Sequence, residues 1–347
     1  MLEVNTIRIH NLYYMLSYAF RALKEQGFKS METEEFDKTG DLFAAILSKG
    51  ISMQLKRGLN REYVYETETT SVPKGKINLS ESVGRLTVIN NQLICSYDEF
   101  SENSYLNKIL KTTVLELLKH DIKKEYKKEL KKEMLFFSNV DSLDIDTINW
   151  NISYNKNNKS YELLVAICYL TLKGLVHSDG RNTTKLMDFL DDQEMSRLYE
   201  KFLLEYYKKE FKGKIKAEVT KIDWNIEGDD FGYLPSMKTD ITLSRGDKTL
   251  IIDAKFYGKT MQQQFNKKTY HSNNMYQIFS YVKNMDINHT KNVSGMLLYA
   301  KTDEELYPNE SFIFDGNTIE IRTLDLNREF SAIKYELDEI VEKYFFS

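Results

Sequence analysis

Between Lys238 and Gly258 the chain reads KTDITLSRGDKTLIIDAKFYG, two runs of strand-forming residues separated by Arg245-Gly246-Asp247-Lys248. Gly-Asp as a central pair signals a two-residue hairpin loop, because the turns that match strand twist need a residue tolerant of positive φ. Placing Gly246 and Asp247 in the turn pairs Arg245 with Lys248, and counting outward sets Asp240 directly opposite Asp253. A slip of one residue would move every side chain to the other face, so this register decides what the hairpin can do.

Strand alternation puts Leu250, Ile252, Ala254 and Phe256 on one face with Ile241 and Leu243, and Asp240, Thr242, Asp253 and Lys255 on the other. The expectation is one core face and one polar face that carries a site. Opposed strand residues have Cβ atoms about 4.5–5.5 Å apart, and two ionised carboxylates at about 5 Å repel by about 3 kcal/mol at an effective dielectric of about 20. A cation between them reverses the sign of that interaction. Hard oxygen ligands with no His or Cys beside them favour Mg²⁺ or Mn²⁺ over zinc. Lys255, two residues past Asp253 on the same face, can orient or help deprotonate a water and neutralise charge developing on a phosphate. The chemistry implied is phosphodiester hydrolysis.

The same residues could instead form an exposed hairpin with ordinary surface charges, since Asp-x-Lys recurs by chance. Three features favour the site: the carboxylates align by turn register, LIIDAKF is apolar around them, and a helix with a polar face follows. In NMYQIFSYV, Gln277 and Tyr281 are four apart and share a helix face, while Met275, Ile278, Phe279 and Val282 supply a core stripe.

Around this segment the order is a helix over about 195–211, strands over 216–224, 237–243 and 249–256, a helix over 274–282, a strand over 295–300, a strand pair and a closing helix from Phe330. That alternation predicts an α/β sandwich on a partly antiparallel sheet. The first half is mixed α and β. Asn11 is placed as the N-cap of a core-packed helix with Leu12, Met15, Leu16, Ala19, Phe20 and Leu23 at helical spacing, and a second helix covers 41–57. REYVYETETT and QLICSYDEF then predict a small antiparallel sheet, and helical periodicity returns over 104–137 and 161–176. A length of 347 residues suggests two domains at roughly 150 residues each, drawn at 1–145 and 146–347, with a loop at Ser178–Thr184.

Composition narrows the function classes. A net charge of −4 argues against a protein that grips nucleic acid over most of its surface, so such contact must be local or shared with a partner. The densest basic run, KKEYKKELKKE over Lys123–Glu133, interleaves Glu125, Glu129 and Glu133, and Ile122, Tyr126, Leu130 and Met134 recur every fourth residue beside it. It predicts an amphipathic helix with a solvated charged face rather than a DNA-binding stripe. Cys95 and Cys168 are too few and too far apart for a disulfide framework or a zinc site, which fits a reducing compartment. No signal peptide or run of 18 apolar residues is present, so the expected location is the cytoplasm. The five histidines have no metal-binding spacing, and His271 is expected to be a loop or capping residue. Tyr257-Gly258-Lys259-Thr260 ends like a Walker A loop, but Asp253 stands where the first glycine is required. The chain should not hydrolyse nucleotide itself.

An Asp on one strand, Asp-x-Lys on the next and Gln-x-x-x-Tyr on the following helix resemble the PD-(D/E)xK nucleases. More closely, and nearly end to end, the chain resembles the McrC family, the nuclease subunits of McrBC modification-dependent restriction systems. HNLYYMLSYAF, LSKGISMQLKRGL, KGKINLSES, SYDEFSENSYLNKILKTT, MSRLYEKFLLEYYKKEF, LPSMKTDITL, IIDAKFY and HSNNMYQIFSYV carry the resemblance. Pro235 lies five residues before Asp240, so the literal Pro-Asp of the superfamily label is absent.

The resemblance implies an amino-terminal α+β docking domain followed by a restriction-endonuclease-like core. It implies Asp240, Asp253 and the Ala254 carbonyl as ligands of Mg²⁺ or Mn²⁺, Lys255 as the catalytic lysine, and Gln277 positioning the water or a phosphate. Glu200 is a further candidate ligand, as in some superfamily members, beside the simpler reading of a surface helix charge. The implied partners are a hexameric AAA+ GTPase of the McrB kind, which binds the GTP, and double-stranded DNA containing 5-methylcytosine. Two nuclease subunits acting together would explain a double-strand break. Docking candidates are the polar residues of the first helix and the basic loop Lys56–Arg61, with Arg57 and Arg61 either reaching a partner's nucleotide or simply ending a helix and starting a strand. Two alternatives stay open: a stand-alone PD-(D/E)xK repair nuclease, and a non-catalytic assembly subunit of the GTPase ring.

Overall fold

LIIDAKF alternates Leu250, Ile252, Ala254 and Phe256 on one face with Ile251, Asp253 and Lys255 on the other, a strand that needs cover on its apolar side. The computed structural model describes residues 7–20, 23, 28, 36, 38–176, 192–226, 233–256, 261–264, 267–301 and 309–347. In chain order these form α1 (Ile9–Ala19), α2 (Thr39–Arg57), β1 (Glu62–Thr70), β2 (Lys76–Ile77), α3 (Leu79–Gly84), β3 (Leu93–Ser101), α4 (Tyr105–Leu117), α5 (Lys124–Met134) and α6 (Glu162–Val176). There follow α7 (Asp192–Glu210), β4 (Lys216–Glu218), β5 (Lys221–Ile222), β6 (Met237–Lys238), β7 (Ile241–Arg245), β8 (Lys248–Lys255), β9 (Met261–Gln264) and β10 (Lys267–Tyr270). The last elements are α8 (Ser272–Met285), β11 (Val293–Ala300), β12 (Glu310–Phe314), β13 (Asn317–Leu324) and α9 (Phe330–Val341). Among the described residues, no helix is long and apolar enough to cross a membrane.

The chain divides into two compact units, and the division differs from the expected boundary at residue 145. A terminal unit joins Met1–Glu25 and Met31–Asp37 to Lys185–Ser347, and an inserted unit takes Gln26–Ser30 and Lys38–Thr184. The physical reason lies in α1, whose stripe finds its partners in the last part of the chain, on α7 and α9. Tyr14 stacks on Phe330 of α9 with centroids 4.1 Å apart, and Tyr18 meets Phe202 of α7 at 5.7 Å and donates to Glu210. Asn11 is not the N-cap. It sits inside α1 and its amide donates to the carbonyls of Leu326 and Arg328, tying the helix to the loop before α9.

In the terminal unit a six-stranded sheet runs in the order β12-β13-β11-β8-β7-β4. β8 and β13 are parallel to β11, while β7, β4 and β12 join antiparallel, the mixed sheet that the element order predicts. Gly246 turns the β7–β8 hairpin at φ +61°, and the register is the expected one, with Arg245 opposite Lys248 and Ile241 opposite Ile252. The expected strands over 216–224 and 237–243 are each broken in two, so that β5 and β6 pair separately and Asp240 occupies the gap just before β7.

Burial corrects the expected division into a core face and a polar face: both faces of β8 are covered. Phe256 meets Tyr199 of α7 on one side, whereas Ile251, beside Asp253 in the alternation, joins Ile278, Tyr281, Val282, Leu297 and Tyr299 in a core under α8 on the other. Phe279 departs from the expected core stripe. It is 40% exposed and packs edge-on against Phe314. Helix α8 lies so close to β11 that a Cβ on Gly295 would meet Ile278 and Val282 side-chain atoms at 2.8 Å.

The inserted unit packs α2, α4, α5 and α6 around Phe43, Leu47, Ile109, Leu110, Val114 and Ile167. Its sheet, order β1-β3-β2, is the antiparallel one expected. On α5 the anticipated stripe is buried at Tyr126 and Leu130, and Glu129 and Glu133 both face the Ser48 hydroxyl of α2 at 3.2 Å. Burial, with Glu129 adding to it, pushes the Glu133 carboxyl up to about 8.

Two outcomes are expected. The folded chain keeps a proton on Glu133 that the unfolded chain releases above its ordinary pKa of about 4.5, so this residue's contribution to stability falls as pH rises towards 8. Glu133→Gln should therefore leave the melting temperature unchanged at pH 4.5 and raise it by about 2–4 °C at pH 8; an equal shift at both pH values would contradict a buried, protonated carboxyl. Gly295→Val should lift α8 off β11 and cost about 1–3 kcal/mol in urea unfolding.

Candidate active site

The site forms where β7 stops pairing with β8. Asp240 precedes the last β7 pair, Ile241 with Ile252, and its side chain takes over as acceptor: Asp240 Oδ2 receives the Ala254 N–H at 2.9 Å. A strand residue's N–H and C=O leave on the same edge, so the Ala254 carbonyl also points to the side that Asp240 occupies. Continued one residue past the last pair, Ile241 with Ile252, the register brings Asp240 opposite Asp253, as the hairpin count requires.

Asp253 is fully buried, and neither of its carboxylate oxygens accepts a hydrogen bond of good geometry. Lys255 Nζ stands 2.7 Å from Asp253 Oδ2, a close ion pair whose angle does not satisfy the carboxylate. Burial raises the pKa of both aspartates, and the Lys255 ammonium opposes that rise. Proximity to Asp240 adds to the rise at Asp253. An ionised carboxylate has about four lone-pair sites to fill, and leaving buried polar groups unsatisfied costs several kcal/mol at most sites. One lysine cannot balance two carboxylates. The donors on hand are two carboxylates and one carbonyl, all hard oxygens, which suit a divalent cation of the Mg²⁺ or Mn²⁺ class.

Helix α8 holds the lysine from the other side. Lys255 Nζ donates to Gln277 Oε1 at 3.2 Å, Gln277 Nε2 donates to the Tyr281 hydroxyl at 2.9 Å, and that hydroxyl donates to the Lys238 carbonyl at 3.0 Å. The chain of donors fixes the Gln277 amide with its oxygen towards Lys255. Sequence reasoning placed Gln277 and Tyr281 on one helix face but missed Asn274, one turn earlier. Asn274 is buried and donates to the hydroxyl of Tyr299, the strand partner of Lys255, at 3.0 Å. Its spacing of three from Gln277 was the available signal.

Glu200 of α7 is half-buried and accepts from Ser196 at 3.1 Å. Burial and then the charge of Asp240 raise its carboxyl pKa, so it lies within electrostatic reach of the pair. Among the described residues, however, no three His, Cys, Asp or Glu residues form a metal-binding cluster. His271 takes the N-cap position of α8 without a side-chain capping bond. In the inserted unit, the Arg61 guanidinium is held by Glu102, while Lys56 and Arg57 are exposed at the end of α2. The Walker-like segment at 257–260 and the loop at 178–184 lie outside the described residues.

Comparison with known proteins places the chain as a whole. The chain is 26% identical over 352 residues to the type IV methyl-directed restriction enzyme EcoKMcrBC of Escherichia coli strain K12, covering 99% of both chains. Its fold is similar to a chain in a refined half-complex from a tetradecameric assembly of Thermococcus gammatolerans McrB AAA+ hexamers with bound McrC, at TM-score 0.51 and 18% identity, over 96% of this chain and 76% of that one. The model of the McrBC 5-methylcytosine restriction system component family matches residues 4–300, which is most of the chain. The protein is therefore a member of the McrBC 5-methylcytosine restriction system component family.

Proposed function

We propose that this chain is the nuclease subunit of its restriction complex and hydrolyses DNA phosphodiester bonds at Asp240, Asp253 and Lys255. The observation that carries the reading is the fully buried Asp253 carboxylate, set beside Asp240 with one lysine at 2.7 Å to balance the two. A fold that needed only stability would not keep such a group, because an apolar residue in its place is usually as stable or more so. Asp240, Asp253 and the Ala254 carbonyl would hold Mg²⁺ or Mn²⁺, which when bound supplies an acidified water and offsets phosphate charge. Lys255 orients the attacking water and balances charge that develops on the phosphate. Gln277 and Tyr281 keep Lys255 aimed, and Glu200 adds negative charge at the rim without completing a ligand trio.

The substrate proposed is double-stranded DNA carrying 5-methylcytosine, and the partner is a hexameric AAA+ GTPase that binds the GTP. The inserted unit supports docking rather than a stand-alone enzyme: Tyr63, Tyr65 and Phe100 on its sheet and Leu79, Val83 and Ile89 around α3 are all more than half exposed. Exposed apolar groups at this density mark a surface made for a partner. Of the polar residues of α1, Asn11 and Ser17 are buried in the terminal unit, so the Lys56–Arg61 loop and the exposed sheet are the docking surface we favour. Pairing of two nuclease subunits would supply both cuts of a double-strand break.

Wild type should linearise a cytosine-methylated plasmid with Mg²⁺ only when the cognate GTPase and GTP are present, and Lys255→Ala should lose about 10²–10³-fold of that rate. Full activity of the variant would remove Lys255 from the chemistry, and cutting without partner or nucleotide would favour the stand-alone nuclease. Tyr281→Phe breaks the link from Gln277 to the Lys238 carbonyl and should slow cleavage about tenfold with little change in melting temperature. In metal-free buffer, adding MgCl₂ should raise the melting temperature of wild type but not of Asp253→Asn; equal responses would argue against a cation between the aspartates.

A further inference from the structure

Read along the chain, the lysines and glutamates of α5 alternate, but the helix separates them. At 100° per residue Lys124, Lys127, Lys128, Lys131 and Lys132 fall within one sector that ends on Leu135, and they line a shallow groove together with it. Glu125, Glu129 and Glu133 stack at i, i+4 on the adjoining flank, where Glu129 and Glu133 reach the Ser48 hydroxyl. The sequence permits i, i+3 ion pairs from Glu125 to Lys128 and from Glu129 to Lys132. Among the described residues, neither is closed, and Lys124, Lys128, Lys131 and Lys132 have no carboxylate within ion-pair distance. Like charges at i, i+4 cost a few tenths of a kcal/mol per pair, so this pattern forgoes helix stability that one exchange of Lys for Glu would restore.

We propose that this face of α5 binds the phosphate backbone of duplex DNA, independently of sequence, and so supplies a non-catalytic DNA contact on the inserted unit. From Lys124 to Leu135 the stripe is about 16 Å long at about 1.5 Å per residue, and a duplex carries one phosphate charge per about 1.7 Å of axis. Five ammonium groups therefore face more phosphates than they can neutralise, and the stripe matches a duplex backbone in charge and length. The proposal explains how a chain of net charge −4 can hold DNA: the basic groups are gathered on one face while the acids are turned away from it. It rests on DNA being the substrate, as proposed above.

The test is fluorescence anisotropy of the full-length chain with a labelled duplex of about 30 base pairs, in EDTA so that nothing is cut, across about 50–200 mM salt. Replacing Lys124, Lys128, Lys131 and Lys132 by Gln should weaken binding at least about tenfold at the lower salt and flatten the slope of log K against log salt by about 2–4. The double change Lys128→Gln with Lys132→Gln should give about half that flattening, and four Lys→Arg changes should restore it. An unchanged slope in the folded quadruple variant overturns the proposal. So does normal DNA binding with lost association to the GTPase, which would make α5 a protein-docking face. Wild type that cuts DNA yet ignores these lysines fails this inference alone, whereas wild type that binds through them and never cuts fails the nuclease assignment alone.

Discussion

Two aspartates held opposite one another at the end of a buried hairpin constitute the constraint on which the terminal unit is arranged. Asp253 is buried because β8 is the strand that both α7 and α8 cover, and Asp240 is brought to it by a register set by a two-residue turn. Their repulsion is relieved in part by Lys255, which comes from the same strand and shares the face of Asp253. Each partner is thus positioned by backbone geometry rather than by a mobile loop. That is what a site needs if it is to hold a cation and a phosphate within a few tenths of an ångström.

Helix α8 converts that strand geometry into a fixed lysine. Gly295 permits its close approach to β11, and Gln277 and Tyr281 on its inner face bridge Lys255 to the carbonyl of Lys238. The path starts in the sheet, passes through the helix and returns to the segment that leads into β7. Packing and site are therefore one structure: what separates α8 from the sheet also releases the lysine.

The inserted unit follows a different logic. It is tightly packed inside, yet it displays aromatic and aliphatic side chains on its sheet and, on α5, a lysine face that closes no ion pair among the described residues. A surface of that kind has a cost in solubility and helix stability that contacts with other molecules offset. The terminal unit gathers Asp240, Asp253 and Lys255 at one buried point, while the inserted unit spreads apolar and cationic groups over its exterior.

The hairpin, its register, the Asp240–Asp253 opposition, the Lys255 alternation and the shared face of Gln277 and Tyr281 were all legible in the sequence, because turn residues, the period of 2 and the period of 3.6 are local and leave local marks. Tertiary structure alone decided that α1 belongs with the last third of the chain, that Asn11 ties two loop carbonyls instead of capping, that the site face is also a core face, and that Asn274 reaches Tyr299. Each of these depends on contacts between residues far apart in sequence, where no periodicity reaches. The charges of α5 mark the same boundary: their order along the chain looks mixed, and only the helix and the neighbour it packs against show that the two signs are kept apart.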